Sequence, residues 1–319
     1  MRTRPAPRGL TLTEIGFGGA QFGNLNRETT DEASAAAVDA AWDAGIRYFD
    51  TAPHYGIGLS ERRLGAALAG RPRDEYVLST KVGRALVPTP ERAAAGELDG
   101  HGFLTPATHR RQWDFSRDGI RRTLEQSLER LGLDRVDIVY LHDPDDHWEE
   151  ASTTGIEALL ELRDEGMVQA IGAGMNQSAM LAEFVRRCDV DIMMVAGRYT
   201  LLDRSAAEDL LPLAEDRGVA VVAAAVYNSG LLSRADVPAD ARYDYDTAPA
   251  DLVQRARGMA SVCTRHGVTL PDAAMQFALR HPAVASVVVG MRTAEQVRSN
   301  VGRYRAPIPE ELWAELEGA

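Results

Sequence analysis

Four titratable side chains stand at, or just after, the ends of three apolar segments of the sequence. Asp50, Lys81 and His142 stand at the ends of IRYFDT, YVLSTK and VDIVYLH, and Tyr55 follows Asp50 in FDTAPHYG. Each has an ordinary structural explanation when taken singly: an Asp caps a helix, a Lys is solvated, and a His bonds a backbone carbonyl. Their occurrence at three consecutive segment ends indicates a common site.

Together these side chains are suited to accepting a proton from an alcohol or donating one to a carbonyl oxygen. A Tyr has an unperturbed pKa of about 10, so it needs a positive charge beside it before it accepts a proton near neutral pH. We expect Lys81 to supply that charge and Asp50 to hold the ammonium in place. His142 can hydrogen-bond the reacting oxygen. Such a site has no protein nucleophile and suits hydride transfer to or from a bound cofactor.

The apolar segments are predicted strands of a parallel sheet. Short β-rich runs alternate with longer segments of helical periodicity, which is the pattern of repeated βα units. The predicted strands are 14–19, 46–51, 76–81, 136–142, 168–174, 191–197, 219–226 and 286–290. Eight such units favour an α/β fold of the closed (β/α)8 TIM-barrel type, and an open doubly wound sheet is the alternative.

The segments between the strands carry signals of helix ends. The segment 30–45 begins with a Thr and two acids and ends in Gly, as capping favours. The predicted helices are 30–45, 60–70, 116–132, 154–166, 177–188, 205–218, 251–267 and 293–302, with an extra helix at 269–282. No change of composition marks a linker, so we expect a single domain over 1–319.

Two predicted connections are long. Residues 82–115 follow the third predicted strand, and residues 228–250 follow the seventh. Long loops in compact domains often carry function. Both leave the carboxyl ends of strands, which form the active-site face of a TIM barrel.

Composition narrows the function classes. The 319 residues are 45% hydrophobic and carry a formal net charge of -12, so a large core is expected and a nucleic-acid partner is not. No apolar run approaches the roughly 18 residues of a membrane span, and the amino terminus has no apolar signal segment, which predicts the cytoplasm. Cys188 and Cys263 lack the spacing of a metal or redox motif and are predicted to be reduced.

The chain resembles the aldo-keto reductase family, and the resemblance runs from about residue 10 to 305. GIRYFDTAPHYGIGLSERRLGAAL, STK and VDIVYLHDPD are similar to the family's motifs around its catalytic tetrad. The resemblance assigns that tetrad to Asp50, Tyr55, Lys81 and His142. LHDPDDHWEEA and IGAGMNQ are similar to one branch of the family, the aldose 1-dehydrogenases with the related L-galactose and pyridoxal dehydrogenases. Those enzymes oxidise the anomeric carbon of a sugar to a lactone, or a cyclic hemiacetal in the same way.

A dinucleotide site is expected at the last βα unit. No strand-linked GxGxxG is present, but in VVGMRTAEQVRSN a Gly and an Arg stand at a helix start, where an anion is favoured. The resemblance implies a site for NAD or NADP, since Gln296 is neutral while Arg292 suits a phosphate. The implied cofactor-binding residues are Gly19, Ala20, Asp50, Met175, Asn176, Tyr227, Asn228, Gly230, Leu232, Gly290, Met291, Arg292, Gln296 and Asn300. Relatives often carry Gln and an aromatic ring where this chain has Ala196 and Ala224, and Tyr227 is a candidate for the missing ring.

The predicted substrate-binding residues are His54, Tyr55, Trp113 and His142, and the predicted substrate is a small sugar or aldehyde such as L-fucose, L-galactose or D-arabinose. Pyridoxal oxidation and general aldehyde reduction are alternatives within the family. The acids and imidazoles of HDPDDHWEE (142–150) also admit a metal-dependent barrel hydrolase, although their spacing fits no specific metal motif and we expect no metal. A non-catalytic, cofactor-binding regulatory subunit is the remaining alternative. We expect a monomer or a weak homo-oligomer.

Overall fold

Eight parallel strands close into a barrel. They are Ile15–Gly18, Tyr48–Asp50, Val77–Val82, Ile138–His142, Ala170–Met175, Ile192–Ala196, Ala220–Ala224 and Val284–Gly290, and we number them one to eight in that order. The eighth strand pairs with the first, with Gly290 opposite Gly18. The ring is therefore closed, and the predicted TIM barrel is confirmed over the open sheet. The computed structural model describes residues 1–244 and 246–317, so the predicted loop 228–250 and domain 1–319 extend beyond the described residues.

A helix follows every barrel strand on the outside of the ring. These helices are Asp31–Asp43, Leu59–Leu68, Arg117–Leu131, Ile156–Asp164, Ser178–Arg187, Leu210–Arg217, Ala250–Arg265 and Ala294–Arg305. The shorter helices are Pro90–Ala94, Trp148–Glu150, Leu270–Phe277 and Glu310–Glu317, with a π-helical turn at Ala151–Gly155. Turns of 3-10 helix lie at Pro7–Gly9, Ala20–Gly23, Arg73–Glu75, Ser205–Ala207, Asn228–Gly230 and Ala278–Arg280.

The helix boundaries follow the predicted capping residues. The Thr30 side chain accepts a hydrogen bond from the Ala33 amide at the start of the first long helix. Gly132 ends the helix Arg117–Leu131 in the left-handed region at φ 66°, where a residue with a Cβ is disfavoured. The extra helix predicted at 269–282 is shorter than expected, because it changes to a 3-10 turn after Phe277.

Three antiparallel hairpins accompany the barrel. They pair Thr3–Pro5 with Thr11–Thr13, Arg84–Pro88 with His109–Trp113, and Arg242–Tyr243 with Asp246–Thr247. The long connection after the third strand is therefore a structured excursion over the carboxyl end of the barrel. This hairpin was not predicted, because RALVP and HRRQW lack a clear period-two alternation of apolar and polar residues.

The core has two parts, separated by the barrel wall. The larger lies between the strands and the helices, and the smaller fills the barrel interior with side chains such as Tyr48, Ile138 and Tyr140. Leu10 and Leu12 of the first hairpin belong to the interior cluster. Their packing closes the amino-terminal end of the barrel, so the opposite end is the one left for a binding site. None of the described helices is both long enough and apolar enough to traverse a lipid bilayer.

Candidate active site

Lys81 is the centre of the candidate site. Its ammonium donates hydrogen bonds to both Asp50 carboxylate oxygens, over 2.9 and 2.7 Å, and to the Tyr55 hydroxyl over 3.1 Å. A fourth hydrogen bond, to the Thr51 carbonyl over 3.0 Å, fixes the chain as it leaves the second strand. Asp50 and Lys81 end neighbouring strands of the barrel and are only 3% and 2% exposed, so water screens their charges weakly.

Burial and charge act in opposite directions on these groups. Burial works against the Lys81 ammonium, but Asp50 and Tyr55 together outweigh it and raise the Lys81 pKa. For Tyr55 the balance is reversed: burial raises its pKa to about 12, although Lys81 opposes the shift. The sequence led us to expect a phenol activated by the ammonium. The structure instead holds Tyr55 as a neutral phenol near neutral pH. Burial destabilises the phenolate more than the Lys81 ammonium stabilises it.

A chain of buried hydroxyl groups supports Asp50 from below. Ser79 donates to Asp50 Oδ1 over 2.7 Å, Tyr48 lies 3.1 Å from Ser79, and Tyr140 lies 3.2 Å from Tyr48. A hydroxyl has a single proton, so the bond from Ser79 to Asp50 requires Tyr48 to donate to Ser79 and Tyr140 to donate to Tyr48. This chain of hydroxyl groups was not predicted from the sequence.

A signal for the hydroxyl chain was nevertheless present in the sequence. Each member stands two residues before a tetrad member on the same strand: Tyr48 before Asp50, Ser79 before Lys81, and Tyr140 before His142. Residues at i and i+2 face the same side of a strand. A polar residue two positions before a catalytic candidate is therefore expected to lie beneath it in the barrel.

His142 completes the tetrad at the end of the fourth strand. Its ring centre lies 5.8 Å from that of Tyr55, with the two planes nearly perpendicular. Burial, followed by the nearby Arg84 and Lys81 cations, lowers the His142 pKa well below its usual value, so the imidazole is neutral. Its Nδ1 is buried and has no hydrogen-bond partner among the described residues.

Arg84 and Asp143 form an ion pair beside His142. Arg84 Nη2 donates to Asp143 Oδ2 over 2.7 Å, and the same carboxylate oxygen lies 3.7 Å from His142 Nε2. Burial lowers the pKa of Arg84 and raises that of Asp143, so each charge depends on the other for its stabilisation. From the sequence, Asp143 was a candidate only as a metal ligand, and nothing singled out Arg84.

His54 lies beside both Tyr55 and His142. Its ring centre is 5.4 Å from that of His142 and 6.1 Å from that of Tyr55. Arg111, from the hairpin after the third strand, contacts His54 and is paired with Asp99. The structure therefore places His54 with the tetrad, whereas Arg111 and Asp99 were not anticipated.

Trp113 lies further out and is not in direct contact with the tetrad. Its ring stacks on Phe115 with centres 5.8 Å apart, lies 4.8 Å from the His147 ring, and has the Arg84 guanidinium 4.5 Å from its centre. It is 40% exposed and lines a cavity of about 530 Å³ formed with Phe115, His147 and neighbouring residues, none of which belongs to the tetrad. A substrate role for Trp113 stays a prediction.

The predicted dinucleotide residues of the last βα unit lie at the same end of the barrel. Gly290 ends the eighth strand, and a Cβ there would lie 2.3 Å from the Gln21 side-chain amide, which would then have to move. Arg292 is 7% exposed and donates to the backbone oxygens of Leu25 and Arg27 and to the Thr29 hydroxyl, which are 2.6, 2.7 and 2.5 Å away. Its guanidinium therefore holds the segment 25–29, and burial lowers its pKa to about 10.

Two other parts of the predicted cofactor site are also ordered by hydrogen bonds. Tyr227 donates to Asn300 Oδ1 over 3.1 Å and accepts from Arg303 over 3.0 Å, and Asn176 donates to the Ala196 carbonyl over 2.9 Å. The remaining predicted residues divide by exposure. Met175, Leu232 and Met291 are almost fully buried, so contact with a ligand would come from their backbones. Asn228 is also buried, whereas Gly230, Gly290 and Gln296 are exposed. Gly19 and Ala20 begin the turn after the first strand.

Comparison with known proteins defines the class. Residues 14–319 match the Aldo/keto reductase family, and the chain belongs to that family. It is therefore an oxidoreductase that uses NAD or NADP, as the tetrad and the barrel led us to expect, and this membership replaces the metal-dependent hydrolase alternative. Among the described residues, no group of three or more His, Cys, Asp or Glu side chains is placed to share a metal ion.

Individual relatives narrow the comparison. The chain is 48% identical to a D-threo-aldose 1-dehydrogenase of a Pseudomonas species, and the match covers 98% of this chain and 96% of that protein. It is 38% identical to a pyridoxal 4-dehydrogenase of Microbacterium luteolum, over 97% of this chain and 94% of that protein. Among solved structures it is similar to the holo form of an aldo-keto reductase from Bacillus halodurans, with a TM-score of 0.79, 28% identity, and coverage of 100% of this chain and 96% of that one.

The residues present fit a polar ligand at this end of the barrel. Three polar atoms, Gln21 Oε1, Asn228 Oδ1 and His142 Nδ1, are buried without a hydrogen-bond partner in the described part of the chain. Gln21 follows the first strand, His142 ends the fourth, and Asn228 follows the seventh. Unpaired buried polar atoms are rare in folded proteins, and three of them at the same end of the barrel are what a site for a hydrogen-bonding ligand provides.

Proposed function

We propose that the protein oxidises the anomeric carbon of an aldose to the lactone, with L-fucose, L-galactose and D-arabinose as candidate substrates. The observation that carries this proposal is the hydrogen bond from the buried Lys81 ammonium to the Tyr55 hydroxyl, made beside a neutral His142. The 48% identity to an aldose 1-dehydrogenase supports a sugar as the substrate.

Each tetrad residue has a distinct role in this reaction. The anomeric hydroxyl binds between the Tyr55 hydroxyl and His142, which fixes the oxygen by hydrogen bonds. Tyr55 takes the hydroxyl proton, Lys81 stabilises the phenolate that results, and Asp50 holds Lys81. A nicotinamide cofactor held here would supply the hydride acceptor for the reacting carbon. In the reverse direction Tyr55 donates its proton to a carbonyl oxygen.

The protonation state of Tyr55 favours one direction. Because burial raises its pKa to about 12, Tyr55 is ready to donate a proton near neutral pH but must lose one before it can act as a base. Oxidation therefore depends on the small ionised fraction, which Lys81 increases. We infer that oxidation is faster at alkaline pH, whereas reduction does not need the phenolate.

The nicotinamide cofactor is proposed to lie across the carboxyl ends of the strands. Met175 and Asn176, with Gly19, Ala20 and Asp50, would meet the nicotinamide end, and Asn228, Gly230 and Leu232 the pyrophosphate. Gly290, Met291, Arg292, Gln296 and Asn300 would hold the adenosine end, with Tyr227 beside them. The contacts of Arg292 with the segment 25–29 leave less of its guanidinium for a 2′-phosphate, which supports use of NAD alongside NADP.

A second candidate substrate is pyridoxal, whose cyclic hemiacetal presents a comparable carbon. The 38% identity to a pyridoxal 4-dehydrogenase supports it, and simple aldehydes are the third class. We further propose that the protein works in the cytoplasm as a monomer or a weak homo-oligomer.

The deciding experiment is a substrate panel. Aldoses and pyridoxal are assayed with NAD and NADP, and aldehydes with the reduced cofactors, by following nicotinamide absorbance. The proposal expects kcat/KM to be highest for an aldose. A clear preference for pyridoxal or for simple aldehydes would overturn it, and so would the absence of turnover with every aldose.

A further inference from the structure

Arg111 holds the imidazole of His54 from one side. Its Nε donates to His54 Nδ1 over 2.5 Å, and its Nη2 donates to the His54 carbonyl oxygen over 2.7 Å. The other edge of the guanidinium pairs with both carboxylate oxygens of Asp99, with Nη2 2.6 Å from Oδ2. The Asp99 and Arg111 side chains are only 1% and 9% exposed. A buried ion pair of this geometry leaves Arg111 little freedom to turn away from His54.

This contact decides which nitrogen of His54 carries the proton. A guanidinium has donors only and stays protonated in proteins, so it cannot accept a hydrogen bond from the imidazole. His54 Nδ1 must therefore be the unprotonated acceptor. In the neutral ring the proton then lies on Nε2, and His54 is a hydrogen-bond donor at that atom.

The surroundings of His54 keep it neutral over the working range of pH. Burial, followed by the charges of Arg111 and Arg84, lowers its pKa to about 2. His54 therefore cannot exchange a proton with the substrate near neutral pH. Its chemistry is restricted to donating a hydrogen bond.

The free edge of His54 lies within the candidate active site. The His54 ring packs nearly perpendicular to the rings of His142 and Phe103, with centres 5.4 Å away in each case. No described residue accepts a hydrogen bond from Nε2, and this atom is not among the buried unpaired atoms, so solvent reaches it. A donor open to solvent beside Tyr55 and His142 can meet a second oxygen of a molecule whose first oxygen binds those two residues.

We propose that Asp99 and Arg111 hold His54 as an Nε2–H donor to an oxygen on the atom next to the reacting carbon of the substrate. His54 is then a specificity-determining residue for α-hydroxylated aldehydes and sugars, and Arg111 and Asp99 are positioning residues. The inference rests on the proposed function only for the identity of the reacting carbon. A site that offers a fixed donor discriminates against a molecule that lacks the matching oxygen, because the donor is then left unpaired.

The first test reads the tautomer directly and needs no substrate. Long-range proton–nitrogen NMR correlations on histidine-labelled protein are expected to show His54 as the Nε2–H form between pH 6 and 8. In the double variant R111Q/D99N, which leaves neither charge of the pair unpaired, we expect a mixture of the two neutral tautomers. The control is R110Q, because Arg110 is an exposed neighbour on the same hairpin. An Nδ1–H form in the wild-type protein would overturn the proposal.

The second test measures discrimination between lactaldehyde and propanal, which differ by one hydroxyl beside the carbonyl. The measured quantity is the ratio of their kcat/KM values in reduction. In H54N the side-chain oxygen can still accept from Arg111 but no donor reaches the Nε2 position, and we expect the ratio to fall about tenfold, the value of one hydrogen bond. H54Q, whose amide nitrogen reaches the Nε2 position, should recover part of the loss.

The two tests separate this inference from the proposed function. If the wild-type enzyme prefers lactaldehyde and H54N loses that preference, His54 has the assigned role even when no aldose is oxidised. If the wild-type ratio is near one, or if H54N lowers both kcat/KM values equally, His54 is only a wall of the pocket and the inference fails.

Discussion

The Lys81 ammonium hydrogen-bonds the Tyr55 hydroxyl over 3.1 Å, and yet the pKa of that phenol is raised to about 12. The two facts are compatible. Burial removes the phenolate from water and so raises the pKa, whereas Lys81 supplies a single positive charge that Asp50 largely offsets. Lys81 therefore does not keep Tyr55 ionised. It reduces the cost of forming the phenolate during the reaction, when the proton moves.

Replacing Tyr55 with Phe is expected to lower kcat by about 10²- to 10⁴-fold, the usual contribution of a positioned acid or base. Steady-state assays in both directions measure the loss. Tyr76→Phe is the matched control, because this buried ring packs edge-on to Phe49, away from the candidate site, at the other end of the third strand. Wild-type turnover in Tyr55→Phe would remove Tyr55 from the mechanism.

The rate of oxidation should rise with pH. Below the pKa of Tyr55 the ionised fraction grows about tenfold per pH unit, so kcat/KM for oxidation should increase between pH 7 and 9 while that for reduction stays level. In Lys81→Met the rise should move to higher pH, because the ammonium that favours the phenolate is gone. Initial rates at constant ionic strength test this, and an oxidation rate that does not change over this range would contradict it.

Replacing Ser79 with Ala should disturb Asp50 through the buried hydroxyl chain. Asp50 loses a donor at 2.7 Å and Tyr48 loses its acceptor, so we expect the free energy of unfolding to fall by about 1–3 kcal/mol and kcat to fall as well. Urea unfolding and turnover assays give the two values. Ser286→Ala is the control, because Ser286 is equally buried but bonds the Thr13 carbonyl away from the tetrad. It should lose stability and keep its kcat, and a parallel loss of kcat in both variants would refute a specific role for Ser79.

The variant Arg292→Met separates a structural from a phosphate-binding role. If Arg292 mainly anchors the segment 25–29, the dissociation constants of NAD and NADP should increase by similar factors and the melting temperature should drop. If it also binds the 2′-phosphate, NADP should be weakened by a further factor of about ten or more. Fluorescence titration measures both constants. Arg298→Met, on the exposed side of the helix Ala294–Arg305 that follows Arg292, should change neither dissociation constant.

The sequence was sufficient for the barrel and for the grouping of Asp50, Tyr55, Lys81 and His142 at one end of it, because both depend on local patterns. The strands are short apolar runs, and Asp50, Lys81 and His142 mark their ends directly. The partners of those residues were harder to predict. Arg111 and Asp99 lie in a hairpin whose strands do not alternate, and the contact of Arg111 with His54 joins residues 57 positions apart in the chain. Contacts of that kind depend on how a loop packs, which no local pattern specifies.

The pKa of Tyr55 shows a second limit on what can be predicted from the sequence. The residue types alone suggested that an ammonium beside a phenol lowers the phenol's pKa. The direction of the net shift depends on how much water reaches the group, and that is a property of the folded barrel. The position of Tyr48 beneath Asp50, by contrast, follows from a spacing of two residues on one strand and was within reach of the sequence.

The hairpin formed by Arg84–Pro88 and His109–Trp113 carries Arg84, Arg111 and Trp113, but none of the four tetrad residues. Asp50, Lys81 and His142 are thus held by the barrel strands and Tyr55 by the turn after the second strand, whereas several of the groups around them belong to one excursion of the chain. If relatives exchanged this segment, the residues around the reacting carbon would change together while the four tetrad residues stayed in place. The evolution of new substrate preferences in such a barrel could therefore proceed without disturbing the catalytic machinery beneath.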